Sequence, residues 1–194
     1  MDFHFRQRDK KHKTRTLHQY LRENEVHRSV AVPVQRQVWQ RLAQGQKLQE
    51  DEVPALAMLS VTLKSALRFN IQRPHLMPHP MFRLWIGLDA QMMQRVCMAA
   101  VGFVHLRQND DLFTAGGATG SAYSLTKGEL SYTQHPETSA VSDLESTSVH
   151  PGTWLCEAAL WTEWIHVGQA EALTSCCVLE IDGVKLAESV SRDM

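Results

Sequence analysis

The hydrophobic period of this chain changes once, near Leu106, and that change restricts the fold more than any single motif does. Ahead of it, apolar residues recur at the three- and four-residue spacing of one helix face. Leu17, Tyr20, Leu21 and Asn24 form one such set, and Val30, Val34, Val38, Trp39 and Leu42 a second. Ser29 is placed to cap the second helix, with Pro33 in its first turn and Gly45 at its end. Glu50-Asp51-Glu52 puts acid at the start of a further helical stretch holding Leu56 and Leu59, where the helix dipole favours it. Ser60 is the next cap, with Leu63, Leu67 and Ile71 predicted on one face; Pro74, Pro78 and Pro80 then break the pattern. Asp89 opens a last helix through Met92, Met93, Val96, Ala100 and Val101.

Behind Leu106 the runs are short and bounded by turn residues, which is strand texture. Asn109-Asp110-Asp111 is a turn; Leu112-Phe113, Tyr123-Ser-Leu125 and Leu130-Ser-Tyr132 are strands, separated by Gly116, Gly117, Gly120 and Gly128. These glycines read as turn residues needing positive φ. Residues 134–150 are polar and rich in Ser and Thr, and read as a loop. Trp154-Leu155 and Ser175 to Ile181 are later strands, and Asp182 caps a final helix from Val184 to Val190. The chain is therefore predicted to be α+β: a helical region over 1–80, then an antiparallel β-roll over 81–194 with a short internal helix.

At 194 residues, 43% of them hydrophobic, the chain has enough material for one or two real cores. No apolar run nears the roughly 20 residues of a membrane span, and the N-terminus lacks a signal-peptide apolar stretch; the sequence is thus expected to be cytoplasmic. Cys97, Cys156, Cys176 and Cys177 have no zinc-ligand spacing and read as small packed thiols, the adjacent pair facing opposite sides of a strand. Charge is unevenly distributed. Residues 1–128 hold 18 Lys/Arg against 10 Asp/Glu, a balance of +8, whereas 129–194 hold 2 against 11, a balance of −9. The basic residues lie along helical faces without interleaved aromatics, so nucleic acid is not an expected partner. Two surfaces that attract one another within or between subunits suit the pattern better.

One stretch carries the functional signal: Gly152-Thr-Trp-Leu-Cys156-Glu157-Ala158-Ala159-Leu160. It reads as a strand end, a glycine turn and a short helical turn opened by an acid, whose amides could hold an anion. With the glycine-punctuated strands upstream, it resembles the cyclic nucleotide-binding domain family, whose β-roll ends in a short phosphate-binding helix. Lys13-Thr-Arg-Thr-Leu-His-Gln-Tyr20-Leu, Val38-Trp39, Leu59-Ser-Val-Thr-Leu63-Lys-Ser-Ala-Leu67 and Pro80-Met-Phe82 are similar to the helical C-linker of cyclic nucleotide-gated, hyperpolarisation-activated and ether-à-go-go-type cation channels. The order of these motifs, spread over residues ~13–190, carries the match.

The resemblance implies a cytoplasmic regulatory and assembly module of a cation channel of potassium type. Its partners would be the pore and neighbouring subunits of a tetramer, with the membrane reached only through a transmembrane part outside this sequence. A freestanding cyclic-nucleotide sensor of kinase-regulatory type is the second reading. No catalysis is implied; a Cys156 nucleophile served by His150 or His166 has no flanking signature. The implied ligand is cAMP or cGMP, with no other cofactor and no metal. Gly152, Cys156 and the amides of Glu157, Ala158 and Ala159 would line the phosphate site. Glu157 would either accept from the ribose 2′-hydroxyl or be merely an acid stabilised at a helix start.

The family's phosphate-binding arginine has no counterpart between Trp164 and Ala172. Such a contact contributes roughly 1.5–3 kcal/mol, so its loss weakens binding by about one to two decades. His166 or His150 could replace it only when protonated. Trp154, Trp161 and Trp164 either pack the core or occupy the purine site. The family's lid helix would begin after residue ~190.

Overall fold

The computed structural model describes residues 2–43 and 50–191. They fall into two compact units, Met1–Glu52 and Val53–Met194.

The first unit is a pair of packed helices, α1 (Asp2–Glu23) and α2 (Arg28–Ala43). Leu21 is its buried apolar anchor among the described residues, and Gln35 reaches His18 across the pair at 3.2 Å. The cap of α2 differs from the expected one. Ser29 lies inside the helix, and His27 is the residue in front of it: its Nδ1 accepts from the Ser29 amide at 3.3 Å, and its carbonyl from Val30 and Ala31 at 3.0 Å. Pro33 is consequently the sixth helical residue and not a first-turn one. Gly45, expected to end α2, lies outside the described residues.

A 3₁₀ turn, Glu50–Glu52, closes the first unit; the second opens with another, Pro54–Met58, and continues into α3 (Val61–Leu76), α4 (Pro80–Leu88) and α5 (Ala90–Ala99). Two caps stand as the sequence places them. Ser60 Oγ accepts from the Leu63 amide at 3.3 Å, and Asp89 Oδ1 from Gln91 and Met92 at 2.8 and 2.9 Å. The buried face of α3 is another matter. Phe69, Gln72 and Leu76 point inward, while Leu63 and Ile71 are exposed. Pro74 sits within the last turns of α3; the break comes at Pro78, and Pro80 supplies the first residue of α4.

The strands are β1 (Val101–Leu106), β2 (Asp111–Phe113), β3 (Ala118–Thr119), β4 (Ser121–Lys127), β5 (Leu130–Gln134), β6 (Glu145–Val149), β7 (Trp154–Leu155), β8 (Trp164–Ile165), β9 (Gly168–Ala172) and β10 (Cys176–Asp182). They form two four-stranded sheets, ordered β1-β10-β4-β7 and β2-β9-β5-β6, with β3 and β8 as a small side pair. All pairings are antiparallel. Setting the side pair aside, this strand order is a jelly roll, in which two facing sheets share one core. The chain is α+β, helices first and antiparallel roll after, as read from the sequence.

Two expectations fail at the edges of that reading. Val101 begins β1 and does not end α5. Ala100 closes the helix, and Val101 to Leu106 pairs residue for residue with Ile181 to Cys176. The supposed loop 134–150 contains β6, which pairs along its whole length with β5 from Leu130↔Val149 to Gln134↔Glu145. The intervening turn is itself tied to β9's approach: the Thr138 hydroxyl donates to the Val167 carbonyl at 2.9 Å.

β4 and β10 stand between two cores because successive side chains alternate across a strand. Ala122, Leu179 and Ile181 face the helices, joining Phe69, Leu76, Phe82, Met93, Val96 and Leu186. Tyr123, Leu125, Cys176 and Val178 face into the roll, with Phe113, Leu130, Val149, Ala170 and Ala172. The last helix, α6 (Gly183–Ser191), is capped by Asp182, whose Oδ1 accepts from the Lys185 amide at 3.0 Å. A lid helix after residue ~190 lies outside the described residues.

Candidate functional site

The Gly152–Leu160 stretch folds as a turn, the two-residue strand β7 and a four-residue 3₁₀ helix, Glu157–Leu160. Gly152 has φ +93°, a conformation that side chains resist, and its amide donates to the Leu125 carbonyl at 2.8 Å. Register with β4 (Tyr123↔Leu155, Ser124↔Trp154) fixes where the short helix starts. Cys156 makes the bend into it with φ +58°, rare for a residue carrying a Cβ. Such a strained position is held by its surroundings.

The three amides offered to an anion are not equivalent. That of Ala159 is already committed to the Cys156 carbonyl at 2.9 Å, as a 3₁₀ turn requires. At most those of Glu157 and Ala158 remain. Ala159 and Leu160 are buried beneath, where α6 comes close. A Cβ on Gly183 would stand 2.7 Å from the Ala159 carbonyl and 2.8 Å from that of Gly120, so only glycine fits between α6 and the short helix.

The Glu157 side chain is 51% exposed, yet its carboxylate has a partner: Oε1 lies 3.1 Å from Nε2 of His79, whose side chain is only 14% exposed. His79 sits between Pro78 and Pro80 at the α3–α4 corner and precedes α4 as its N-cap residue. Its ring packs on Phe82 (centroids 4.9 Å) and edge-on to Trp154 (4.8 Å), and Phe82 stacks on Trp154 at 5.7 Å. Nδ1 of this imidazole is buried and has no hydrogen-bond partner. The sequence reading missed His79; its only local mark is the flanking pair of prolines.

His166 is placed apart from Glu157, inside the roll. It is 3% exposed, and its ring lies parallel to that of Phe113 with centroids 3.9 Å apart. Its backbone exchanges hydrogen bonds with the glycine loop: Gly116 donates to its carbonyl at 2.8 Å, and its own amide donates to Gly117 at 2.9 Å. Burial holds its pKa below the ordinary imidazole value, which favours the neutral ring. It therefore brings no positive charge at neutral pH. Cys156 is brought to it, with Sγ 3.4 Å from Nδ1. Burial pushes the Cys156 thiol up to about 11, partly opposed by the Trp164 indole. The pair is a neutral thiol beside a neutral imidazole, the reverse of the thiolate–imidazolium charge state that a cysteine nucleophile uses.

The three tryptophans separate. Trp154 packs on Phe82, Trp164 is half-buried beside Cys156, and Trp161 is 65% exposed, so Trp161 fills no cavity within its own chain. β9, within the stretch where the resemblance calls for an arginine, offers no cation: Ala170 and Ala172 are fully buried, and Gln169 Nε2 donates to Asp111 Oδ1 at 2.8 Å. Positive φ occurs at Gly116 and Gly128 but not at Gly117 or Gly120. Among the described residues there is no group of three or more His, Cys, Asp or Glu that could hold a metal ion. No described helix is long and apolar enough to cross a membrane.

No protein-family model and no curated protein matches the chain. Among solved structures it is similar to a cyclic nucleotide-binding-like protein from Brucella abortus, with 20% identity over 56% of this chain and 90% of that one, at a TM-score of 0.46.

Proposed function

We propose that this chain is a non-catalytic regulatory module of cyclic nucleotide-binding type, the cytoplasmic regulatory and assembly part of a voltage-sensing or cyclic nucleotide-gated cation channel. Its own affinity for nucleotide is weak or nil. The observation that carries the ligand side of this reading is the state of His166. It occupies the stretch where the family resemblance calls for an arginine, but it is buried, stacked and neutral. A cyclic phosphate would face at most two amides with no counter-charge, in a stretch, residues 129–194, balanced at −9.

The regulatory side rests on packing. The helices α3 to α6 and the outer face of β10 share one core, so a change in the roll is felt by the helices. A ligand or subunit that prefers one arrangement of the roll would bias the helices, and through them a pore, without any chemistry. The exposed Tyr20, Val30, Val32 and Trp39 of the first unit are the surface offered for assembly.

Calorimetry with cAMP and cGMP tests the reading. Affinity no better than micromolar is expected, and nanomolar binding would show that some other group replaces the arginine. Joining the chain to a channel pore and finding that gating ignores substitutions in α3–α5 would remove the channel assignment.

A further inference from the structure

We infer that His79 and Glu157 form a latch that fastens the short helix to the α3–α4 corner, and that a ligand hydroxyl seeking Glu157 must first open it. The latch stands on geometry alone; its competition with a ligand rests on the nucleotide reading above.

Three features single out this pair. It joins residues far apart in sequence, the corner between two helices and the first residue of the 3₁₀ turn, at 3.1 Å. The His79 end is rigid: prolines flank it, its amide donates to the Leu76 carbonyl at 3.0 Å, and Phe82 and Trp154 fix the ring. The Glu157 end rests on a four-residue helix entered through the strained Cys156. A rigid arm thus ties down the exposed first residue of a short helix whose far end, Ala159 and Leu160, is buried in the core. The bond is also only half supported, because Nδ1 is buried without a partner. The orphan Nδ1 leaves the Nε2 contact with Glu157 as the hydrogen bond of this buried ring.

The contact needs no charge on the ring: a neutral imidazole protonated on Nε2 donates to the carboxylate and leaves Nδ1 as an unprotonated nitrogen. Glu157 is the charged side chain that faces the ring. β7 contributes Trp154 and α4 contributes Phe82, neither of which titrates. Arg83, one turn along α4, is exposed and lines a groove with Leu84 and Leu88. At the end of α3, Arg73 is exposed, and the ring of His75 stands against Phe103 at 5.7 Å.

The test compares wild type, His79→Gln, Glu157→Gln and the double variant by thermal unfolding at pH 7. His79→Phe is added because it keeps the ring packing while deleting Nε2. The latch requires non-additive losses of about 2–4 °C in Tm. Additive losses with either His79 replacement would overturn it. The ligand clause is read separately by calorimetry with cAMP at pH 7. His79→Phe should bind about 3- to 10-fold tighter than wild type. Non-additive Tm values with unchanged cAMP binding would keep the latch and overturn its competition with nucleotide.

Discussion

At the scale of single residues, the site is defined by what burial does to charge. His166 and Cys156 touch, and each is held neutral because water is excluded from the roll. The two groups give stability opposite pH slopes. His166 has a lowered folded pKa, so the unfolded chain takes up its proton first. Its contribution is present above the ordinary imidazole range and is lost as pH falls below it. His166→Phe keeps a ring against Phe113 and should flatten the acid side of a plot of Tm against pH between 7 and 5. Cys156 has a raised folded pKa, so its contribution is present below the ordinary thiol value of 9.0 and is lost as pH rises toward about 11. Cys97, pushed up to about 12 by burial, acts in the same direction. Burial keeps both thiols protonated at pH 8, so a thiol-alkylating reagent followed by mass spectrometry should find Cys156 and Cys97 slow to react. An arginine brought in at position 170 to supply the missing phosphate contact is expected to fail. Ala170 is fully buried in the roll core, and a guanidinium there costs several kcal/mol. Ala170→Arg should lower Tm sharply and not create a nucleotide site.

At the scale of elements, the sequence reading went wrong where one partner strand or one capping atom decided the outcome. β6 has one buried residue, Val149, and four exposed polar ones, so it carries no apolar alternation; β5 alone makes it a strand. Val101 has the right spacing for α5, but the ladder with β10 claims it. Leu63, Leu67 and Ile71 satisfy helical spacing and yet do not form the buried face, because α3 meets α5 through the row of Phe69, Gln72 and Leu76. Gln72 is fixed there by a bond from Nε2 to the Val101 carbonyl at 3.1 Å. The sharpest element-level prediction concerns Gly168, which opens β9. A Cβ there would collide with the Thr133 carbonyl of β5 and stand 3.0 Å from Tyr132. Gly168→Ala should cost about 1–3 kcal/mol, visible in denaturant unfolding, with faster amide exchange in β5 and β9 than in β1 and β10. Equal protection in all four strands would contradict it.

At the scale of the whole molecule, two properties of the surface bear on what the protein does. The apolar residues left outside are concentrated on helices, with Trp39 at 61% exposure in its own chain. Monomeric soluble proteins rarely leave such side chains grouped without a use. Under the proposed assembly role, sedimentation should show self-association that grows with concentration up to the millimolar range and weakens in Trp39→Ala. Strictly monomeric behaviour over that range would count against assembly through the first unit. The uneven charge gives that association a salt dependence, with weaker binding as ionic strength rises. For ligand, Glu157→Ala is expected to weaken any cyclic-nucleotide binding by about a decade, because the ribose would lose its acceptor.

Local chemistry was enough to determine from sequence that helices precede a β-roll, that Ser60, Asp89 and Asp182 begin helices, and that a short turn follows Gly152 and Trp154. Caps, glycine turns and period changes depend on neighbours a few residues away, and such neighbours are visible in the chain itself. The tertiary structure alone decided which face of α3 is buried, that β6 exists, and that His166 is a neutral core residue. It alone decided that Glu157 is held by His79. Each of these is set by a partner beyond the reach of a local motif: Val101 for Gln72, Leu130 to Gln134 for β6, Phe113 for His166, and the α3–α4 corner for Glu157. A residue's spacing reports its own element, whereas its charge state and its partner depend on what the fold packs against it.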